Sequence, residues 1–265
     1  KCTVIILSAT LTKARKIEIM GQQYQASNTY PCITTCDPSN QSVKEIAVAY
    51  NDSSDKSIDW VLSNSKDSFD EAIKRANEGQ YVLWIENTVD DAIKVYQKFS
   101  AYFNDSDVEC GLLHSRFTFE DRQEIEDKWV YLFGKHNQNR YAGNGKILIG
   151  TQILEQSLDI DADFLVTRIC PIDLLMQRSG RLWRHIRSNR HPNALCQMNV
   201  LSPSFEQTIK TDIKGFGASA MIYYPYILLK TLWAIEQYKL EHNTLQIPSQ
   251  IPNLIESVYS DTGAI

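Results

Sequence analysis

Short apolar runs that alternate with amphipathic stretches of helical length constrain this chain more than any other feature. Tyr81–Ile85, Glu109–Leu113, Lys146–Ile149, Phe164–Ile169 and Ala194–Leu201 are too short for an ordinary helix and too apolar for a strand with one wet face. Between them lie segments with apolar residues at helical spacing. Ser68–Asn77 stops at the Gly79 turn, Thr88 caps a helix to about Phe103 with Ile93, Tyr96 and Phe99 inward, and Phe119–Phe133 follows. Strands buried on both faces and joined by helices make a parallel sheet covered by helices, an α/β fold. The same reading expects strands at Thr3–Leu7 and Val43–Tyr50 and a helix at Leu11–Met20 stopped by Gly21. It adds a surface loop at Gly134–Gly145, a helix from Asp173 to about His185, a linker or mobile loop at Ser204–Ser219, and a helix from Met221 to about Leu240.

With 265 residues and a formal net charge of -5, the chain is not a generally basic nucleic-acid binder, so contact with a polyanion has to come from a local patch. One window qualifies: Leu174 to Phe205 contains no Asp or Glu but holds Arg178, Arg181, Arg184, Arg187, Arg190, His185 and His191, and positive potential is expected there. The six cysteines lack zinc-ligand spacing, because Cys32 and Cys36 have no second pair, and no metal site is expected. They read as reduced thiols of a cytoplasmic protein. No apolar stretch approaches the roughly 20 residues that span a bilayer, and no signal-peptide pattern opens the chain. The absence of an initiating Met suggests a fragment of something longer.

Three polar segments carry the chemistry. Gln177–Arg184 (QRSGRLWR) spaces arginines three apart around a glycine, and a guanidinium fork suits phosphate oxygens; its plain alternative is the solvated face of a basic helix. Ile149–Asp161 (IGTQILEQSLDID) leaves a strand at its carboxyl end, where parallel α/β sheets bind ligands, although Thr151 and Asp159 also suit a cap and a turn. Leu7–Leu11 (LSATL) follows the first expected strand, and Ser8 and Thr10 equally suit a helix cap. Two near misses are rejected. Gly145–Gly150 has P-loop glycine spacing but lacks the Lys and Ser/Thr that must follow, and Asp70–Ile73 (DEAI) has no apolar strand before it and sits at a helix start. No His is followed by the Asp of a metal-dependent HD nuclease.

Taken in order, SAT, IGTQ…EQSLDID and QRxGRxxR resemble motifs III, V and VI of superfamily 2 helicases. TQILEQSLDIDADFL followed by CPIDLLMQRSGRLWRH looks like the CRISPR-associated helicase-nuclease of type I systems, closest to the type I-E pattern. Trp183 stands where many superfamily 2 members have glycine and where that branch commonly has a large residue. The resemblance implies a RecA-like second helicase lobe at 21–215, the tail of the first lobe at 1–20 and a small C-terminal helical appendage at 216–265.

It also implies roles. Gln177, Arg181 and Arg184 would face the ATP phosphates, with Arg184 the arginine finger. Asp159, Ser8 and Thr10 would couple the nucleotide to strand movement, and Thr151, Gln152 and Arg116 would meet the nucleic acid. ATP and Mg2+ would be held mainly by the missing first lobe, so the fragment alone is expected to be inactive. The implied partners are single-stranded DNA, the parent's first lobe and HD nuclease domain, and a type I CRISPR surveillance complex, in a prokaryotic cytoplasm and away from membranes. An RNA or repair helicase of superfamily 2, and a non-catalytic RecA-like binding module, are the alternatives.

Overall fold

The computed structural model describes residues 4–8, 11–21, 24–27, 29–37, 42–48, 55–137, 140–141, 143–156, 158–211 and 214–260. The chain divides into two compact units, residues 1–57 with 245–265, and residues 58–244. The divisions at 20 and 215 implied by the resemblance do not coincide with these units. In the first unit, α1 (Lys13–Met20) is capped by Thr12 and ends at Gly21, whose φ of 102° favours glycine. β1 (Cys32–Asp37) and β2 (Ser42–Ala47) then form an antiparallel pair.

The second unit carries β3 (Lys56–Ser63), α2 (Ser65–Asn77), β4 (Tyr81–Ile85), α3 (Val89–Tyr102), β5 (Glu109–Leu113), α4 (Phe119–Phe133), β6 (Lys146–Gly150), β7 (Phe164–Arg168), α5 (Ile172–Ser179), β8 (Gln197–Leu201), α6 (Phe205–Lys210), α7 (Ser219–Ile222) and α8 (Pro225–Glu241). Back in the first unit, β9 (Leu245–Ile247) precedes α9 (Ile251–Tyr259). The strands of the second unit run β5-β6-β4-β7-β8-β3, every neighbouring pair parallel. Val82, Trp84, Ile147, Ile149, Phe164 and Val166 cluster with Ala72, Ala76, Ala92 and Phe99 from α2 and α3. Each large side chain buried this way contributes roughly 1.5–3 kcal/mol, which makes this sheet a firm platform for the loops at its carboxyl edge. The expected α/β parallel sheet flanked by helices is the observed architecture.

Five expectations need correction. Thr3 lies outside the described residues, and residues 4–8 form no strand: Val4, Ile5 and Leu7 are exposed, at 77%, 79% and 91%, because β propensity makes no ladder without a neighbouring strand. The helix expected to reach His185 ends at Ser179. There Leu182 bridges in parallel to Ala162, and the Trp183 amide donates to the Ala162 carbonyl at 3.0 Å, drawing the chain out of the helix. Ser204–Ser219 is not a plain linker, because Ser204 and Gln207 form a capping box that starts α6. The helix expected from Met221 is broken at Tyr223, and α8 starts with Pro225 at its first position. Asp70 and Glu71 lie well inside α2 rather than at its start, Glu71 pairing with Arg75 at 2.7 Å. β2 matches the expected Val43–Tyr50 strand over 43–47; Val48 is not in the strand and 49–50 lie outside the described residues, and β1 and β3 were not foreseen.

Candidate nucleotide-facing loop

The carboxyl ends of β4, β5 and β6 converge at Gly150. Its carbonyl accepts the Glu86 amide at 2.9 Å, and the next amide, of Thr151, donates to Leu113 O at 3.3 Å. A Cβ on Gly150 would lie 2.4 Å from Leu113 O and 2.6 Å from Leu154 Cδ1, so glycine is required for this close approach. Thr151 is buried, and its carbonyl starts a 3-10 turn over Gln152–Glu155. Gln152 Nε2 donates to Asn87 O (2.8 Å) and to Tyr223 Oη (3.1 Å).

After this turn the chain presents Asp159, Asp161 and Asp163 at alternate positions, facing the arginines that follow α5. Arg178 is fully buried. Its Nε donates to Glu155 Oε1 (2.7 Å), Nη1 to Thr167 Oγ1 (2.8 Å) and Arg168 O (3.1 Å), and Nη2 to Asn87 Oδ1 (3.0 Å). Burial alone would depress its pKa, but the neighbouring Cys170 and Glu155 outweigh burial and hold it raised, so Arg178 stays charged. Arg187 Nε donates to Asp161 Oδ2 at 2.6 Å, and Arg190 pairs with Asp161 Oδ1 (2.7 Å) and Asp163 Oδ1 (2.8 Å). Arg140, also fully buried, reaches Asp163 Oδ2 at 3.2 Å. Burial raises the Asp161 carboxyl, yet Arg190, Arg140 and Arg187 together pull it below its ordinary value.

The window expected to concentrate positive potential is therefore largely neutralised by the preceding acidic segment. The sequence reading weighed Leu174–Phe205 alone, while the fold lays residues 155–163 against it. Arg181 has no carboxylate partner among the described residues. It donates instead to the carbonyls of Leu158 (Nη1, 2.8 Å) and Glu155 (Nη2, 2.7 Å), and its buried Nε has no partner. Burial, followed by the charge of Arg184, pushes it down to about 10, still protonated at neutral pH.

Arg184 differs from the others. Its backbone amide is fixed to Asp161 Oδ1 (2.9 Å), whereas its side chain is 39% exposed and, among the described residues, pairs with Asp159 Oδ1 alone (Nε, 3.3 Å), an oxygen that His185 Nε2 approaches at 2.7 Å. Burial raises Asp159, but the Lys135 amide on Oδ2, His185 and Arg184 bring it net below its ordinary value. Gln177 is exposed on the last turn of α5. The contacts thus bring Arg181, Arg184 and Asp159 to the segment that follows Thr151 and Gln152, with Gln177 exposed on the helix before the loop.

The remaining sites fall elsewhere. Arg116, in the loop after β5, makes an exposed ion pair with Asp90 (2.5 Å). Ser8 belongs to the other unit, where it lines a groove of about 580 Å³ with Leu7, Lys16, Tyr30 and Ile255. Thr10 lies outside the described residues. Sequence reasoning missed Asn87, Asp161, Asp163 and Arg140, and gave Arg178 no buried role; the legible signal was the alternate acid spacing opposite arginines three apart. Among the described residues no group of three or more His, Cys, Asp or Glu is arranged for a metal ion, and no helix is long and apolar enough to cross a membrane.

Residues 78–187 match the family described as CRISPR-associated nuclease/helicase Cas3, C-terminal. The chain is 36% identical to the CRISPR-associated endonuclease/helicase Cas3 of Escherichia coli K12 over 71% of its length and 20% of that protein's. It is 32% identical to the Cas3 of Streptococcus thermophilus over 97% and 27%. It therefore spans about a fifth to a quarter of the curated relatives it matches. Among solved structures it resembles T. fusca Cas3-AMPPNP with a TM-score of 0.81 and 26% identity, covering 96% of this chain and 31% of that one. A CRISPR RNA-guided surveillance complex, pre-nicking, matches with a TM-score of 0.75 and 26% identity, over 96% and 33%. By sequence and by fold, the chain belongs to the CRISPR-associated Cas3 nuclease/helicase family, matching its C-terminal helicase lobe.

Proposed function

We propose that this chain supplies one half of an ATP site, the second motor lobe of a single-stranded DNA translocase that works with a nuclease in CRISPR interference. The observation that carries the reading is the state of Arg184: it is the arginine of the QRSGRLWR loop whose guanidinium is substantially exposed, anchored through its own amide and held at its tip by one shared carboxylate. An arginine presented this way suits a phosphoryl group on an opposing lobe, where charge builds on the transferring oxygens. Gln177 is exposed on the last turn of α5, seven residues earlier in the chain. Arg181 is held one step back by the Glu155 and Leu158 carbonyls, and would reach a phosphate only by exchanging them.

ATP supplies the transferable phosphoryl group. The exposed guanidinium suits its anionic oxygens, and the proposal leaves Mg2+ and most of the nucleotide to a first lobe. Asp159 would release Arg184 as the phosphate takes its place, coupling nucleotide to loop; Ser8 and Thr10 belong to the same coupling. Thr151, Gln152 and Arg116 would face the DNA backbone. Residues 1–20 would be the tail of the first lobe, 21–215 the second, and 216–265 a helical appendage. By itself this half-site would not hydrolyse ATP, and the assembled cytoplasmic protein would act with an HD nuclease domain and a type I surveillance complex.

The test is Arg184→Ala in the full-length protein. DNA-stimulated ATP turnover is expected to fall by about a thousandfold or more while folding and DNA binding persist. Unchanged turnover would favour a non-catalytic RecA-like module, and stimulation by single-stranded RNA rather than DNA would favour an RNA helicase.

A further inference from the structure

We propose that Arg190 is a positioning residue for Arg184, acting with Trp183. The inference rests on reading Arg184 as the group that meets the ATP phosphates, and it names what holds that group in place. Arg190 engages Trp183 and His185 directly and reaches the Arg184 backbone through a shared carboxylate oxygen. Its guanidinium lies over the Trp183 ring, 4.6 Å from the centroid. Its Nη2 donates to Asp161 Oδ1 (2.7 Å), the same oxygen that accepts the Arg184 amide (2.9 Å). The same Nη2 donates to His185 O at 2.8 Å. The residues on either side of the finger are thus gripped by one side chain, itself only 8% exposed, that also fixes the carboxylate oxygen on the finger's own amide.

Trp183 explains why such a grip is needed. Its φ is +47°, the sole positive φ of a non-glycine residue among those described, in the left-handed region that glycine occupies at least cost. A bulky aromatic residue stays there because it is held from several sides. The indole Nε1 donates to Asp163 O (3.1 Å), the amide to Ala162 O (3.0 Å), and the ring carries Arg190. In exchange for glycine's freedom the loop gains a rigid platform, which is what a group that must meet a transition state within a fraction of an ångström requires.

The geometry also separates positioning from general stability. Without Arg190, Asp161 keeps Arg187 (2.6 Å) and Asp163 keeps Arg140 (3.2 Å), so neither buried carboxylate is left without a cation. Trp183 and His185, by contrast, lose the contact they share, and the Asp161 oxygen that accepts the Arg184 amide loses one of its donors.

The experiment is a double-mutant cycle in the full-length protein. Turnover numbers and KM for ATP are measured with single-stranded DNA for Arg190→Gln, Arg184→Ala and the pair. Arg190→Gln is expected to lower kcat by about ten- to a hundredfold with KM little changed. It should cost no more than about twofold further once Arg184 is already alanine. Faster hydrogen exchange at the Arg184 amide should accompany the loss. Equal factors in both backgrounds, or a fall in kcat that tracks lost DNA binding and thermal stability, would overturn the proposal. No loss from Arg184→Ala itself would remove the finger reading first, a separable signature. Trp183→Phe keeps a ring under Arg190 and drops only the indole bond. Run through the same cycle, it decides the question if Arg190→Gln does not fold, and additive factors there would overturn the proposal equally.

Discussion

Arg178→Met puts the internal arginine network to a direct stability test. Arg178 is fully buried, forms an ion pair with Glu155, and spends its remaining donors on Thr167 Oγ1, Arg168 O and Asn87 Oδ1. Methionine fills much of the stem's volume, so the loss is mainly electrostatic. Glu155, itself buried, would be left without its cation, and breaking a buried pair by removing one partner costs about 3–5 kcal/mol. At about 2–4 °C per kcal/mol for a domain of this size, the thermal midpoint should fall by roughly 6–20 °C. Arg184→Met is the matched control: its pair with Asp159 is more than one-third exposed on both sides and is worth about 0–1 kcal/mol, so the midpoint should move by no more than roughly 4 °C. Scanning calorimetry or circular dichroism melts of both variants decide the matter. Adding Glu155→Leu to Arg178→Met should recover part of the loss, because the orphaned charge is removed as well. Equal shifts for Arg178→Met and Arg184→Met would refute the division of the loop into a buried frame and an exposed tip.

Two further outcomes follow from the same geometry. Gly150→Ala forces a Cβ against Leu113 O and Leu154 at the junction of three strands, and should lower stability by about 1–3 kcal/mol, read from the denaturant midpoint at unchanged slope. Asp161, held below its ordinary value of 3.8, contributes stability that is fully present above the unfolded carboxylate value and lost as pH falls through the lower folded value; unfolding free energy should be level from about pH 6 to 5 and decline below about 4, and Asp161→Asn should flatten that acid limb even though it lowers the plateau.

The parallel sheet was legible because its strands are buried on both faces: β4, β5 and the following α4 fall where the apolar runs and the helical spacing place them. β3 was passed over because Lys56–Ser63 buries Ile58 and Trp60 between exposed polar residues, a pattern that gains meaning only beside β8. The end of α5 was illegible for a related reason. Gly180 is a local stop signal that was read only as the centre of the arginine fork, and just past it the chain bridges Ala162, a residue brought alongside by the sheet. The acidic segment was read as a ligand-binding loop in its own right, when most of its carboxylates serve the arginines instead. Asp159 alone divides its service, holding Arg184 and His185 at a partly exposed oxygen. Local pattern therefore marked the two segments that the fold lays together, and only contacts remote in sequence show how their charges pair.

That division has a physical logic. Five guanidiniums within thirteen residues repel one another, and a helix would string most of them along exposed positions without fixing the direction of any. The irregular segment 159–163, tied to Leu182 by one bridge at Ala162, instead sets carboxylates at alternate positions, each able to bind a guanidinium and to accept a backbone amide or a second donor. Arg178, Arg187 and Arg190 are consumed in making the frame, and Arg181 braces it through two carbonyls. What remains is one arginine whose amide is fixed and whose tip is free to exchange a shared carboxylate for another anion. Specificity for where that tip points comes from the charges that are buried around it, so substitutions in the frame should alter turnover in proportion to how they move Arg184 rather than to how close they lie to the nucleotide.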